Sequence, residues 1–443
     1  MSADAGLSAS NRVASRGLPG HPHFSYRDDR LFAEDIEVAE LARLHETPLF
    51  VYSKAAMLSA LAAYQRGFEG RDAQICYGMK ANSSLAVLQV FARAGCGFDI
   101  VSGGELQRVL AAGGDAKKVI FSGVGKTRDE MRQALAAAVG CFNVESEAEL
   151  DVLSAVATAM GLRAPVSIRV NPDVDPKTHP YISTGLKGNK FGVAHGDALR
   201  IYQRAALLTS LRIVGIDCHI GSQITDATPY LDAMDRVLDL VDAVEAAGIA
   251  LEHIDFGGGL GIDYNDGTDI PPEADSLWRQ LLAKLDARGH GGKKLMIEPG
   301  RSLVGNAGIC VAEVLYLKPG EQKNFCIIDA AMNDLPRPAM YHAFHTIAPL
   351  VQANVNAATA LYDVVGPVCE SGDWIGRDRM LAVAAGDRVA VMSAGAYCMS
   401  MASNYNTRGR AAEVLVDKES AWLIREREIP ADCFRHEKLL PPA

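Results

Sequence analysis

What the chain lacks rules out several kinds of work. Its nine cysteines (76, 96, 141, 218, 310, 326, 369, 398 and 433) are odd in number and scattered, with no C-x-x-C pair. That argues against a disulfide framework or a structural zinc site, and for a reducing, cytoplasmic setting. No metal site is expected. No uninterrupted apolar run approaches the ~18 residues of a membrane span. Positive charge is in deficit: 44 Lys+Arg against 54 Asp+Glu leave a net charge of −10. A general nucleic-acid or anionic-membrane surface is therefore not expected, although a local phosphate pocket remains compatible with that balance. The start of the chain has Arg12 and Arg16 but no apolar core to a leader. Residues 1–23 read as a disordered tail and not as a secretory signal.

What is present fits a large folded protein. The 443 residues are 49% hydrophobic and 22% charged, ordinary values that support a sizeable core and two or three domains. Eight short β-rich runs recur between Gln74 and Gly300, namely Gln74–Met79, Gly97–Val101, Lys118–Val124, Cys141–Glu145, Pro165–Val170, Gly215–Ile220, His253–Gly257 and Lys294–Ile297. Ala/Leu/Glu-rich stretches with helical spacing separate them, as in Ser83–Ala94 and Glu147–Met160. Short apolar strands alternating with helices imply a parallel sheet covered by helices, and eight such units fit a (β/α)8 barrel over residues 48–304. After Gly300 the helical texture thins, and Ile309–Leu317, Asn324–Asp329, Tyr362–Val368 and Arg388–Met392 read as strands of a C-terminal β-rich domain over 305–443. The segment 24–47 is expected to pack with that domain. The Gly-, Pro- and Lys-rich interval 171–192 reads as a loop inserted at the barrel mouth, where function often sits.

Two glycine-rich runs imitate nucleotide motifs. Gly123-Val124-Gly125-Lys126-Thr127 lacks the earlier glycine of a P-loop, because position 120 is Ile. Gly257-Gly258-Gly259-Leu260-Gly261 follows a strand, but Ile262 stands where G-x-G-x-x-G needs its last glycine. Without Cβ atoms, such a run can still bring backbone N–H groups close to an anion.

The chemistry gathers at strand ends. Ile75-Cys76-Tyr77-Gly78-Met79-Lys80 is an apolar strand that ends in a lysine. A lysine just past a strand is most often a solvated surface residue. Partly desolvated, its neutral amine could instead attack a carbonyl and form a Schiff base. The sixth strand ends in Cys218-His219-Ile220-Gly221-Ser222, and the eighth in Ile297-Glu298-Pro299-Gly300-Arg301. A lone histidine is usually structural, but here imidazole, carboxylate and lysine fall on one barrel rim. Phosphate commonly sits in the loops after the seventh and eighth strands, the loops of Gly257–Gly261 and Gly300-Arg301. An amine for an aldehyde, a carboxylate for a ring nitrogen, a flat imidazole and an anion nest are what pyridoxal 5'-phosphate requires.

At this point the sequence resembles a known family. Tyr77-x-Met79-Lys80-Ala81-Asn82, His219-Ile220-Gly221-Ser222, Gly257-Gly258-Gly259 and Glu298-Pro299-Gly300-Arg301 are similar, in order, to the motifs of the pyridoxal-phosphate-dependent decarboxylases of the alanine-racemase fold. The likeness runs from about Phe24 past Val416. Arg337-Pro338-Ala339-Met340-Tyr341 and Gly366-Pro367-Val368-Cys369-Glu370-Ser371-Gly372-Asp373 resemble the members that act on meso-diaminopimelate to give L-lysine.

The resemblance implies roles. Lys80 would carry the cofactor, Glu298 would keep its ring nitrogen protonated and His219 would stack on the ring. Ser222, Gly258, Gly259, Gly300, Arg301 and Tyr397 would contact it, chiefly at the phosphate. Arg301 and Arg337 would hold the substrate's distal carboxylate, Glu370 its ammonium, with Tyr341 and Tyr397 beside them. Cys369 would reprotonate the α-carbon, entering with Glu370 from the partner of an obligatory homodimer. Ornithine-type relatives usually carry Asp after that cysteine. Decarboxylases of carboxynorspermidine, ornithine or arginine remain the alternative, followed by a non-catalytic cofactor-binding protein. An alanine racemase would leave the Cys-Glu loop without a task. One departure from the family is Glu46-Thr47-Pro48, where relatives more often have glycine before Thr-Pro.

Overall fold

The short β-rich runs and the Ala/Leu-rich stretches between them fold as successive strand–helix units in the computed structural model, which describes residues 17–175, 184, 189–265, 267, 270–354 and 357–442. Eight strands, β1 (Ala73–Gly78), β2 (Gly97–Ile100), β3 (Val119–Phe121), β4 (Cys141–Val144), β5 (Ala164–Asn171), β6 (Leu211–Asp217), β7 (His253–Asp255) and β8 (Lys294–Ile297), lie in parallel order. Leu295, Met296 and Ile297 of β8 pair with Ala73, Gln74 and Ile75 of β1, closing the sheet on itself. Closure leaves no unpaired edge among these strands. They are the eight strands the sequence implied, with β6 beginning earlier, at Leu211.

Caps at the helix starts set the turns that follow the strands. Ser102 and Ser146 accept the backbone N–H groups of Glu105 and Glu149, and Thr127 forms a full capping box with Glu130. Each cap satisfies an otherwise orphaned donor and is worth ~1 kcal/mol. Phe98, Phe121, Phe142, Ile168 and Ile216 are buried along the strands, and Cys76, Ile120 and Met296 cluster together.

A second compact unit comprises the chain before Ser59, a short segment from Asp263, and everything from Val304 onward. Its sheet runs Trp374–Leu381, Ala360–Val365, Asn324–Ile328, Gly308–Lys318, Leu49–Ser53, Ala412–Asp417 and Ser420–Arg425, while Arg388–Val391 pairs with both Gly308–Lys318 and Ile347–Pro349. Leu49–Ser53, which the sequence reading assigned to the start of the barrel, pairs antiparallel with Gly308–Lys318 and parallel with Ala412–Asp417. All five of its residues are buried. A run buried on both faces reads the same from sequence whichever sheet receives it.

Phe24, Leu31, Val38 and Leu41 join Ile309, Val311, Ala390 and Val414 in one apolar cluster. Of the tail expected over 1–23, residues 1–16 lie outside the described residues; His21 and His23 N–H donate to Leu18 and Gly20 O, making turns of the rest. Glu46, where relatives favour glycine, has φ 60° and ψ 174°, a backbone region that glycine alone enters freely.

Candidate active site

In the barrel unit the site is built at the carboxyl ends of the strands. Lys80 lies in the single turn Met79–Ala81 directly after β1, and its Nζ donates to Asp99 Oδ2 on β2 at 2.9 Å. The lysine side chain is 42% exposed and the aspartate 1%. Lys80 is therefore held by a buried carboxylate and not by apolar desolvation, as the sequence argument had supposed.

Glu298 follows β8 and is buried. Burial, and then the neighbouring Asp99, Asp255 and Asp217, push its carboxyl well above the ordinary range. Asp255 is raised in the same way, and Asp217 to about 7, with Arg169 opposing the rise in both. One oxygen each of Asp217, Asp255 and Glu298 lie within 4.8 Å of one another. Like charges that close in a buried place cannot all be ionised, so the cluster retains protons. Asn143 on β4 donates from Nδ2 to Glu298 Oε1 at 3.4 Å. Arg169 on β5 meets Glu145 at 3.2 Å and Asp217 at 3.8 Å.

His219 follows β6, and its Nδ1 accepts the N–H of Gly258 at 3.1 Å. An accepting Nδ1 carries no proton, and burial, together with Arg169 and Lys80, holds the ring's pKa well below its usual value. His219 is thus neutral and planar, with its face suited to stacking. Thr184 Oγ1 donates to His219 O at 2.9 Å, and Gly192 N–H to Glu145 Oε2 at 3.1 Å. Of the loop expected at the mouth over 171–192, residues 176–183 and 185–188 lie outside the described residues.

The glycine run packs closely against the protein's own backbone. Asp255 Oδ1 accepts the N–H of Gly257 at 2.8 Å and so starts the turn. A Cβ on Gly258 would come within 2.2 Å of Glu298 O, and one on Gly259, at φ 103°, within 2.4 Å of Gly221 O. The Gln223 amide donates to Ile262 O at 2.7 Å and accepts from Ile262 N–H, pinning the loop's far end. Gly300 opens the turn after β8. The buried Arg301 begins the short helix Arg301–Val304 and donates from Nη2 to Ser222 Oγ at 2.9 Å.

The other five predicted residues lie on the second unit. Arg337 begins the helix Arg337–Tyr341, is buried, and donates from Nη1 to His345 Nε2 at 2.8 Å. His345 Nδ1 in turn donates to Met392 O at 2.8 Å, which makes it a neutral holder of the guanidinium. That guanidinium lies 4.7 Å from the centroid of the Tyr264 ring. Tyr341 and Tyr397 are half-buried, the latter at φ 58°. Cys369 and Glu370 are exposed; Cys369 N–H donates to Asn406 Oδ1 at 3.0 Å, and Tyr405 donates to Glu370 Oε2 at 2.8 Å.

Sequence reasoning missed Asp99, Asn143, Glu145, Arg169, Asp217 and Asp255. Each is a polar or charged residue in or directly after an apolar barrel strand, a signal that could have been read before the structure. His345, Tyr264 and Tyr405 carried no comparable signal, because only the fold brings them to Arg337 and Glu370.

Comparison with known proteins identifies the family. Residues 54–305 match the family described as the pyridoxal-dependent decarboxylase, pyridoxal binding domain. The diaminopimelate decarboxylase of Pseudomonas aeruginosa is 53% identical, over 94% of this chain and 99% of its own length. That of Neisseria meningitidis serogroup A is 54% identical, over 90% and 96%. A crystal structure of diaminopimelate decarboxylase from M. jannaschii with L-lysine is 38% identical with a TM-score of 0.90, covering 96% of this chain and 99% of that one.

Proposed function

We propose that this chain, which belongs to the diaminopimelate decarboxylase family of pyridoxal-dependent enzymes, removes carbon dioxide from meso-diaminopimelate to give L-lysine in lysine biosynthesis, with Lys80 at its centre. One observation carries the reading: a strand-end lysine on a buried aspartate shares its rim with a neutral histidine, a buried acid and a glycine cradle.

These residues fit pyridoxal phosphate. Asp99 Oδ1, Asp217 Oδ1 and Asp255 Oδ2 are buried and have no hydrogen-bond partner among the described residues. Buried acceptors left in that state call for a proton or a donor. Gly258 and Gly259 admit no Cβ because Glu298 O and Gly221 O lie against them; the Gly258 N–H serves His219, and that of Gly259 would meet a phosphate oxygen. Lys80 would hold the cofactor's aldehyde carbon through Nζ, and Ser222, Gly300, Arg301 and Tyr397 would complete the phosphate contacts. When bound, the cofactor supplies the electron sink that takes up the pair released as the carbon–carboxylate bond breaks.

The chain's own groups do the rest. Asp99 orients the lysine. Glu298, which holds a proton by virtue of burial, keeps the ring nitrogen protonated. Neutral His219 supports the ring face without adding charge. Arg337, aimed by His345, and Arg301 read the distal carboxylate by planar, bidentate contacts. Glu370 reads the distal ammonium, and Tyr341 and Tyr397 line the substrate. The Cys369 thiol delivers a proton to the α-carbon, and its thiolate recovers one from solvent.

Cys369 and Glu370 act across a homodimer, so each site is shared between two chains. Their exposure supports that reading, since residues that serve a partner must reach the surface. The protein works in the cytoplasm, consistent with nine scattered cysteines that form no C-x-x-C pair. Among the described residues no helix is long and apolar enough to cross a membrane. Carbon dioxide release from meso-diaminopimelate, with and without added pyridoxal phosphate, tests the function. Release that depends on the cofactor, with ornithine, arginine and lysine turned over far more slowly, is expected. Equal turnover of ornithine would overturn the substrate assignment.

A further inference from the structure

The loop that carries Cys369 and Glu370 is pinned at three points, all within the second unit. Asp373, only 3% exposed, accepts the N–H of Met332 through Oδ1 and that of Val368 through Oδ2, both at 2.7 Å. One carboxylate thus joins the turn leading to Arg337 and the residue just before Cys369. The second and third points come from a neighbouring turn. Tyr405 Oη donates to Glu370 Oε2 at 2.8 Å, and Asn406 Oδ1 accepts the N–H of Cys369 at 3.0 Å.

That turn is itself anchored. Asn404 Nδ2 donates to Glu428 Oε2 at 2.8 Å, and Arg408 Nε to Asn333 Oδ1 at 2.9 Å. Asn406 has φ 55°, a left-handed conformation that asparagine tolerates better than most residues. It turns the side-chain oxygen back onto the Cys369 amide.

An exposed glutamate samples many rotamers, and an exposed cysteine on a Gly/Pro-bounded loop is no better fixed. A phenol that engages one carboxylate oxygen by a charge-assisted bond leaves the other oxygen presented in one direction. We propose that Tyr405 is the positioning residue that aims Glu370 at the substrate's ammonium, and that Asn406 does the same for Cys369 and its proton. The inference rests on the roles given above to Cys369 and Glu370.

The two residues predict opposite kinetic signatures in the full chain loaded with pyridoxal phosphate. Tyr405→Phe removes only the hydroxyl; KM for meso-diaminopimelate should rise roughly 5–10-fold while kcat stays within about 2-fold. Calorimetric affinity for L-lysine, which keeps the same ammonium and carboxylate, should fall in parallel. Asn406→Gly preserves the backbone conformation and removes the acceptor; kcat should fall roughly 5–10-fold with L-lysine affinity unchanged. In a Glu370→Gln background the Tyr405→Phe effect should shrink below about 2-fold, because the hydroxyl acts only through that carboxylate.

Wild-type KM and L-lysine affinity in Tyr405→Phe, or full additivity with Glu370→Gln, would overturn the proposal. In both cases Glu370→Gln would itself remain impaired, and the underlying role of Glu370 would stand. Wild-type behaviour of Glu370→Gln and Cys369→Ala would remove that role and the inference with it. Thermal midpoints of all variants separate these outcomes from loss of fold.

Discussion

Lys126 tests the energetics of the barrel directly. It lies in the stretch that imitates a P-loop, yet its side chain is 0% exposed and serves no nucleotide. Its ammonium donates to Gly123 O at 2.8 Å, Asn143 O at 2.7 Å and Glu149 Oε1 at 2.6 Å, using all three of its donors. Glu149 Oε2 accepts Glu145 N–H at 2.9 Å. Glu145 Oε1 accepts from Gly123 N–H at 2.7 Å and Arg169 Nη1 at 3.2 Å. Lys126→Met keeps the apolar stem, removes the charge, and strands a buried carboxylate and two carbonyls. Breaking a buried pair on one side costs ~3–5 kcal/mol. In a unit of this size each kcal/mol moves the midpoint by ~2–4 °C, so thermal unfolding should shift down by about 6–20 °C.

The pH dependence has a definite sign. Burial raises the Glu149 pKa above 4.5 even with Lys126 opposing that rise. Without the lysine it rises further. A carboxyl whose folded pKa lies above its unfolded value contributes stability at low pH that is lost as pH climbs through the folded value. The deficit of Lys126→Met against wild type should therefore be larger at pH 8 than near pH 5.5. Lys126→Met/Glu149→Gln should regain more than half of the loss at pH 8, since the amide keeps an acceptor for Glu145 and adds donors for the carbonyls. A single-variant shift under about 3 °C, or one independent of pH, would refute the reasoning.

The remaining predictions concern the cofactor, the dimer and one strained residue. Lys80→Ala should lose decarboxylation and, after borohydride reduction, show no cofactor adduct on the peptide around residue 80 by mass spectrometry; an adduct fixed on another residue would refute the assignment. Equal mixtures of Lys80→Ala and Cys369→Ala chains, allowed to exchange subunits, should recover about a quarter of wild-type activity, because half the dimers are mixed and each has one intact site. No recovery after demonstrated exchange would refute the shared site. Glu46→Gly should raise the thermal midpoint by relieving ~1–3 kcal/mol of backbone strain, less ~0.5–1 kcal/mol for glycine's freedom in the unfolded chain; a lowered midpoint would show that the glutamate side chain earns its place.

How much could be read beforehand follows from where information is local. The barrel was legible because each strand is a short apolar run ending in a turn signal, and closure needs only repetition. Lys80, His219, Ser222, Glu298 and Arg301 were legible as candidates because each lies in the turn region after a barrel strand. The second sheet was only partly so. Trp374–Leu381 carries Arg377, Asp378 and Arg379 in the middle of a strand, and Asp378 has φ 55° where the pairing with Ala360–Val365 shifts register. A bulge of that kind erases the alternation by which a strand is recognised. Ala412–Asp417 hides a buried Glu413 whose carboxylate accepts the Tyr52 hydroxyl at 2.7 Å, a contact 361 residues apart in the chain. No window of sequence contains both partners.

The acid-rich barrel interior also explains why the cofactor would have one orientation before any covalent bond forms. Asp99, Glu145, Asp217, Asp255 and Glu298 are all buried, and Arg169 is the buried cation set among them. Two unit charges 4 Å apart interact by ~4 kcal/mol at an effective dielectric of 20. Burial raises the carboxyls of Glu298, Asp255 and Asp217, and the neighbouring carboxylates add to that rise. This end of the site would be a store of protons for a basic ring nitrogen, and it would disfavour a phosphate dianion. Three residues beyond Glu298 the chain supplies Arg301, hydrogen-bonded to Ser222, while the glycine turn supplies backbone N–H groups. A cofactor phosphate would be drawn to that end and disfavoured at the other. Removing Arg169 would leave Asp217 and Asp255 holding their protons more tightly, because it opposes the rise at both, and so would change the protonation of this end through a residue that need not touch the ring nitrogen.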